Sequence, residues 1–584
     1  MTSAPKSTDS APKWTWQDIV NRPVQATFLA TLFILLILQC WRPYFFLTDD
    51  NLNHSPVLIE AGRNLMAGRN PYVSQYLYEG NFIFLRETSI LHLSHPLLIL
   101  LSGLLSLTPW QYFVVDIIIS GYFIAAACFT TLLYVRLREK YKIPISNELI
   151  IIISLSATFS VWSLILGSSA GMYIWNQATL ALIFIGLIHS DWKYGIAWVG
   201  CAVANAFLAS HGGELVFTLF FATLFVIAYS LVERSFRPII IWVGGGILTG
   251  FLILPFLSPV LSGLLESRRA GALDIEQVVT LNFPFPSSLL SYFIGTFCAF
   301  LGQQYYQNCA VNPLQLLAFP SCFGAWLIFK CRMPWKNIQP VAWCFIGFAA
   351  FALLVVDRPI WLQEYFFQHI PLIRSLRWPY KEFMFFIFFM HLWMIMVPPR
   401  GTTSQIGLLL AVGLGFWLFP LIAGGAPSQS LRKEDRAAIT SGASDRYWLE
   451  LKKKLPEDVL IIPALGPNIG HGFWSLPQSA LGTYLYGALF RVKTPFYYSP
   501  TRVMYVRVEG GTFNGFGLLL APPFLPDDVK DFPDWMKRDK KIRVLRAVNA
   551  IPFRVELLNP SEGIAEDITP IWEKALRDSH AFAP

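Results

Sequence analysis

Charge is what this sequence has least of: 14% of its 584 residues are Asp, Glu, Lys or Arg, against about 25% in a soluble globular chain. That shortfall excludes a protein whose whole surface faces water. Cysteine supplies no framework either. The eight cysteines, at 40, 128, 201, 298, 309, 322, 331 and 344, mostly fall inside apolar runs and form no CxxC pair. Their placement predicts small apolar packing residues, not a disulfide scaffold or a zinc site. The chain has no phosphate-cradling loop of the P-loop type and no GxSxG elbow, which sets aside nucleotide-driven transport and serine hydrolysis. The net charge of +8 is scattered in short clusters. Without a basic stripe interleaved with aromatics, nucleic acid is not an expected partner.

Apolar length is what the chain has in quantity. Hydrophobic residues make up 54% of it, with 48 Phe and 20 Trp, a loading suited to hydrocarbon and its two interfaces. Runs able to cross the roughly 30 Å bilayer core as helices are read at 24–41, 113–135, 149–166, 173–189, 196–210, 215–231, 239–257, 314–329, 340–356, 383–397 and 406–423. The predicted fold class is an α-helical polytopic membrane protein with about eleven transmembrane helices. Two further stretches, 97–107 and 288–301, are apolar but short and fit re-entrant or interfacial helices. Residues 1–23 are polar and rich in Ser, Pro and Lys. They lack the layout of a cleaved signal peptide, so the first run is expected to be a retained anchor behind a cytoplasmic tail.

Basic residues in short connections stay on the cytoplasmic side. Lys6, Lys13 and Arg22 precede the first run, and Arg136, Arg138, Lys140 and Lys142 follow the second. Lys193 follows the fourth, Arg234 and Arg237 the sixth, Lys330, Arg332 and Lys336 the eighth, and Arg400 the tenth. One parity satisfies them all, in a plasma (inner) membrane with the N-terminus inside. The long connections 42–112, 258–313 and 357–382 then face outward, where chemistry is expected. From Gly424 the composition turns polar, and 426–584 reads as an extracytoplasmic α/β domain. Its predicted helix is Asp445–Leu455, with Trp448 and Leu451 on one face. Its predicted strands are Val459–Pro463, Val503–Val508, Ile542–Val548 and Phe553–Leu558.

The first outer segment is the richest, reading Thr48-Asp49-Asp50-Asn51-Leu52-Asn53-His54-Ser55-Pro56. Ser55 and Pro56 predict a helix start there, Gly68 its end, and Asn70-Pro71 a turn. Val57, Leu58, Ala61 and Leu65 share one helical face, and Glu60, Arg63 and Asn64 another, so the helix is expected to lie in the interface. A carboxylate partly desolvated at such a surface suits proton removal from a hydroxyl that attacks an anomeric carbon. Spacing alone leaves a second role open, with Asp49 and Asp50 capping the membrane boundary and facing water.

The run from Asp49 to Tyr72, containing AGRNLMAGRNPY, resembles the first outer loop of the GT-C superfamily of membrane glycosyltransferases. His95-Pro96-Leu97 to Pro109 resembles that superfamily's Pro-bearing stretch before the second span. Gly167 to Leu187, with Asn176-Gln177-Ala178, resembles its third-to-fourth-span connection. The likeness covers the chain to about residue 230. It implies a GT-C-like membrane domain over 24–425 and an inverting hexosyl- or pentosyltransferase. The donor implied is a polyprenyl-phosphate-linked sugar, and the acceptor an extracytoplasmic glycan, lipid or polymer. The catalytic base implied is Asp50 or Asp49. In the mannosyltransferase branch the acid stands nearer the helix, where Asn53 or His54 stands here, so the role stays open between the two aspartates.

Arg374-x-x-Arg377-Trp378-Pro379-Tyr380-Lys381 resembles a late outer motif of bacterial membrane proteins implicated in polymer glycosylation. Arg374, Arg377 and Lys381 are spaced for one helical face, and guanidinium groups suit a lipid phosphate. The alternative is a set of snorkelling cations oriented by Trp378 and Tyr380. His54, His95, His211, Glu214, Asn176 and Gln177 complete the substrate-binding candidates, although a lone histidine at a helix end is more often structural. No spacing demands a metal or another cofactor. A divalent cation held through oxygen by Asp49, Asp50 and a further outer carboxylate is compatible with the sequence. Two rival functions remain. One is a transporter or flippase, although repeated halves are absent. The other is a degenerate GT-C-like scaffold whose C-terminal segment binds partner proteins.

Overall fold

The computed structural model describes residues 22–47, 49–74, 76, 82–83, 95–108, 110–159, 163–164, 167, 171–210, 212–266, 338–356, 365, 368–369, 383–398, 439–464, 490–493, 505–508, 511–514, 530, 534–548 and 554–578. Every expected apolar run within them contains a helix, although in the run 149–166 the helix ends at Thr158. In chain order these are α1 (Pro23–Trp41), α2 (Asp49–Met66), α3 (Pro96–Ser106), α4 (Val114–Tyr141), α5 (Asn147–Thr158), α6 (Met172–Ile188) and α7 (Trp192–Ala209). They continue as α8 (Gly212–Glu233), α9 (Arg237–Glu266), α10 (Pro340–Val356) and α11 (Phe383–Met396). The runs expected at 288–301, 314–329 and 406–423 lie outside the described residues.

Among the described residues, four stretches are long and apolar enough to cross a membrane: Pro23–Trp41, Gln111–Tyr141, Leu215–Glu233 and Arg237–Leu257. Shorter apolar helices join them, among them α5, α6 and α11. The chain is thus a largely helical membrane protein. α6 is the axis of the packing, with Met172–Leu187 buried except for Trp175. Its Phe184 lies in an aromatic cluster with Phe225, at 4.2 Å between ring centroids, and with Phe388 on α11 at 5.6 Å. Outer helices do the reverse. Phe33 on α1 and Phe251 on α9 are 64% and 72% exposed, as expected of side chains facing hydrocarbon. Small residues let neighbouring helices close in. A Cβ on Gly195 would lie 2.7 Å from the Gly186 carbonyl, and one on Gly245 would lie 2.5 Å from Val199.

Polar contacts sort the two ends of the bundle. Arg138 donates to Asn147 Oδ1 at 2.6 Å, and Lys140 pairs with Glu233 at 3.4 Å. Tyr141 donates to Glu233 at 2.6 Å, and Arg237 donates to the His189 carbonyl. The basic connections after α4, α6 and α8 therefore meet at one end. The opposite end, where α4 begins, carries α2 and α3.

The same opposite end receives the C-terminal region through α12 (Ala443–Lys453). Beyond it lie β3 (Leu460–Ala464), β4 (Tyr505–Val508), β5 (Gly511–Asn514), α13 (Asp534–Arg538), β6 (Ile542–Val548), β7 (Arg554–Asn559), β8 (Ile564–Asp567) and α14 (Thr569–Asp578). The small sheet runs β3-β6-β7-β8, parallel between β3 and β6 and antiparallel elsewhere. Val544 stands opposite Leu558, and Leu545 opposite Leu557, all four buried. Trp448 and Leu451 share the buried face of α12, as their spacing predicts.

The first outer segment departs from expectation at its start. α2 begins at Asp49, so Ser55 is no N-cap and Pro56 lies inside the helix. Tertiary bonds to Asn51 hold the extra turn (below), which offsets the hydrogen bond that the proline removes. The end is as expected. Gly68 adopts φ 67, its N–H reaches the Leu65 carbonyl at 3.0 Å, and that of Arg69 reaches Asn64 at 2.8 Å. This is a Schellman closure. The face of Glu60 and Asn64 is not open to the interface, because the short pair β1 (Val73–Ser74) and β2 (Phe82–Ile83) folds back toward it. Ser74 donates to Glu60 at 2.6 Å and Asn64 to the Val73 carbonyl at 2.9 Å.

Candidate functional site

Asp49 and Asp50 occupy the first turn of α2. Backbone N–H groups lack helical partners there, so the turn favours negative charge. Their own side chains, and that of His54, lie outside the description. The next residue, Asn51, is 4% exposed and bonded on both sides of its amide. Nδ2 donates to the carbonyls of Phe46, at 2.9 Å, and Gly167, at 2.8 Å, and Oδ1 accepts the Gly171 N–H at 2.7 Å. The acidic turn is thereby fixed to the turn that enters α6.

α6 carries Asn176 and Gln177 one to two helical turns further in. Gln177 donates to Thr158 at 3.2 Å and to Thr130 at 3.4 Å, joining α4, α5 and α6. That is a structural tie between buried helices. Asn176 is fully buried, and neither amide atom has a hydrogen-bond partner among the described residues. His95 sits at the start of α3, with Nε2 2.8 Å from Asn205 Oδ1 on α7. The Asn205 amide nitrogen is given to the Cys201 carbonyl, so its oxygen must accept and His95 Nε2 must carry the proton. α3 in turn lies against α2 through Gly62 and Gly103, and Arg63 donates to the Ser106 carbonyl at 3.0 Å. Glu214 falls in the first turn of α8, its side chain outside the description. His211, Arg374, Arg377 and Lys381 lie outside the described residues. Among the described residues no three His, Cys, Asp or Glu side chains gather as a metal-ligand set.

Two residues that the sequence reading passed over belong here. Asp116, in the first turn of α4, is 2% exposed. Its Oδ1 accepts from Gln39 Nε2 at 2.6 Å and from the Phe46 N–H at 2.9 Å. The signal was present, since a lone carboxylate inside the apolar run Val114–Ile119 is costly and therefore informative. The second is Asp445 on α12, which accepts from the Tyr112 hydroxyl at the start of α4. Tyr44 beside it bonds Thr440, and burial pushes its phenol up to about 12. Burial, reinforced by the like charge of Arg491, holds the Arg63 guanidinium below its usual range.

Burial also pushes the Asp445 carboxyl above the ordinary aspartate range, against the opposing pull of Tyr112 and Arg446. A carboxyl that holds its proton more tightly in the folded chain stabilises the fold most at acid pH. That contribution declines as pH rises from about 3.9, the unfolded value, through the raised one. In Asp445→Asn the amide oxygen still accepts from Tyr112 and nothing titrates. The variant is expected to melt above the parent at neutral pH and to lose that advantage near acid pH, as followed by thermal unfolding in detergent. An equal difference at both would show that this contact does not titrate.

No family model matches the chain, and no curated protein matches it.

Proposed function

We propose that the protein is an inverting glycosyltransferase of the GT-C type, with about eleven transmembrane helices. It moves one sugar from a polyprenyl-phosphate donor to a glycan, lipid or polymer outside the cytoplasm. The acceptor hydroxyl attacks the anomeric carbon while Asp50, or Asp49, takes its proton. The bond from that carbon to the phosphate oxygen breaks, and the lipid phosphate leaves with the electron pair. Arg374, Arg377 and Lys381 neutralise that departing charge. One observation carries the reading: an acidic pair in the first turn of a helix, held at the bundle end opposite the basic connections. Basic connections favour the cytoplasmic face, which supports an outer position for the acidic turn and for the C-terminal region that meets the same end of the bundle through Tyr112 and Asp445.

The test is purified protein in nanodiscs, given polyprenyl-phosphate donors with radiolabelled sugars and a cell-envelope extract as acceptor. Label is expected on acceptor, with stoichiometric release of polyprenyl phosphate and inverted anomeric configuration. Donor crossing the bilayer intact would replace the reading with a flippase. Neither transfer nor crossing would leave a scaffold.

A further inference from the structure

The backbone of Phe46 is gripped on both sides of its Cα. Its N–H is held by Asp116 at 2.9 Å and its carbonyl by Asn51 at 2.9 Å. Asp116 belongs to α4 and is also bonded to Gln39 near the end of α1. Asn51 is bonded to Gly167 and to Gly171, the residue before α6. Both glycines are themselves pressed on α4. A Cβ on Gly171 would lie 2.4 Å from Ile119, and one on Gly167 would lie 2.6 Å from the Phe123 ring. Phe46, Asn51 and Asp116 are 0%, 4% and 2% exposed, so water does not compete for these bonds. Between the two grips lie Leu47, Thr48, Asp49 and Asp50.

We propose that Asn51 and Asp116 are positioning residues, which fix the backbone carrying Asp49 and Asp50 to α4 and α6. The inference rests on the glycosyl-transfer reading and adds to it how the base is located. A general base acts only within hydrogen-bond reach of the proton it removes, and a displacement of about 1 Å costs on the order of 10²-fold. A helix start on an outer loop would otherwise lack such precision. Asp116 acts here as an acceptor of two hydrogen bonds through one oxygen, a task an amide oxygen performs equally.

The test compares Asn51→Ala, Asp116→Leu and Asp116→Asn with the parent in nanodiscs. Amide hydrogen exchange across residues 44–51 reads the brace without reference to activity. Exchange is expected to quicken by about tenfold or more in Asn51→Ala and Asp116→Leu. Sugar transfer should show kcat lowered about 10²-fold with donor KM within about twofold. Asp116→Asn should match the parent in both. Faster exchange at parental kcat overturns the inference, as does unchanged exchange. An Asp116→Asn variant as damaged as Asp116→Leu also overturns it, because charge rather than bracing would then be required. Should Asn51→Ala or Asp116→Leu fail to fold, Asp116→Asn decides: parental kcat supports the brace and a large loss removes it. These outcomes leave the transferase reading standing. A parent that transfers no sugar removes that reading and the inference together.

Discussion

Replacing Asp49 and Asp50 together by asparagine is expected to lower kcat for sugar transfer by about 10²–10⁴-fold, the usual contribution of a positioned general base. The change keeps side-chain volume and removes only the ability to accept a proton. Stability should hardly move. Both residues lie in the first turn of α2, where losing each charge costs only about 0.3–1 kcal/mol against the helix dipole. Donor KM should stay near the parental value or fall, because the anionic donor of the proposed reaction would no longer face two carboxylates. Loss in kcat without loss in binding is the pattern of an interaction made in the transition state. The single variants then assign the role. The one whose loss equals that of the pair is the base, and the other is a neighbour. The pH dependence gives an independent readout, since a base must be ionised to work. The alkaline rise in kcat/KM is expected to vanish in the variant that lacks it. Parental kcat in the double variant, at normal expression and melting temperature, would show that these acids only cap the membrane boundary.

How much of this was legible in the sequence depends on how local the cause is. Helix existence in hydrocarbon follows from run length alone, and α1, α6, α10 and α11 each fall within a residue or two of their apolar runs. The closure at Gly68 was legible for the same reason, because a left-handed residue after an apolar stripe is a local signal. The start of α2 was not. Two of the partners of Asn51 lie 116 and 120 residues away, and no local pattern announces them against the breaking effect of Pro56. Glu60 was expected on an open face because its spacing sets it apart from Val57 and Ala61. Its partner Ser74 arrives from a strand two residues long, too short to carry a period. In the C-terminal region β6 was predicted to the residue, from its β-branched content and the Asn549 that bounds it. β8, fully exposed, and β5, rich in Gly and Asn, resemble turns more than strands. Of the candidate site, the acidic turn was visible as residue types. Its anchoring by Asp116 and Asn51 was not, because both belong to contacts between distant segments.

The crossing of α2 on α3 gives the largest expected effect on stability. A Cβ on Gly62 would stand 2.2 Å from the Gly103 nitrogen, 2.6 Å from its Cα and 2.7 Å from the Ile99 carbonyl. One on Gly103 would stand 2.6 Å from the Gly62 carbonyl and 2.9 Å from its carbon. All five of these neighbours are backbone atoms of a packed helix, which cannot turn aside as a side chain can. A substituent at Gly62 therefore has to push the two helices apart. Overpacking of a core typically costs about 1–3 kcal/mol even where side chains can shift, so Gly62→Leu is expected to cost at least about 3 kcal/mol. Separation would also draw Arg63 from the Ser106 carbonyl and from Gln111, which it reaches at 3.0 and 3.2 Å. Gly121, within α4, is the control: nothing lies within 4 Å of the position a Cβ would take there. Alanine favours a helix over glycine by about 1 kcal/mol, so Gly121→Ala should leave the melting temperature unchanged or raise it. Thermal unfolding of both variants in the same detergent separates the two causes. A Gly62→Leu protein that melts with the parent would mean that α2 is free to move relative to α3, and a turn tied to so loose a helix would be a poor support for Asp49 and Asp50.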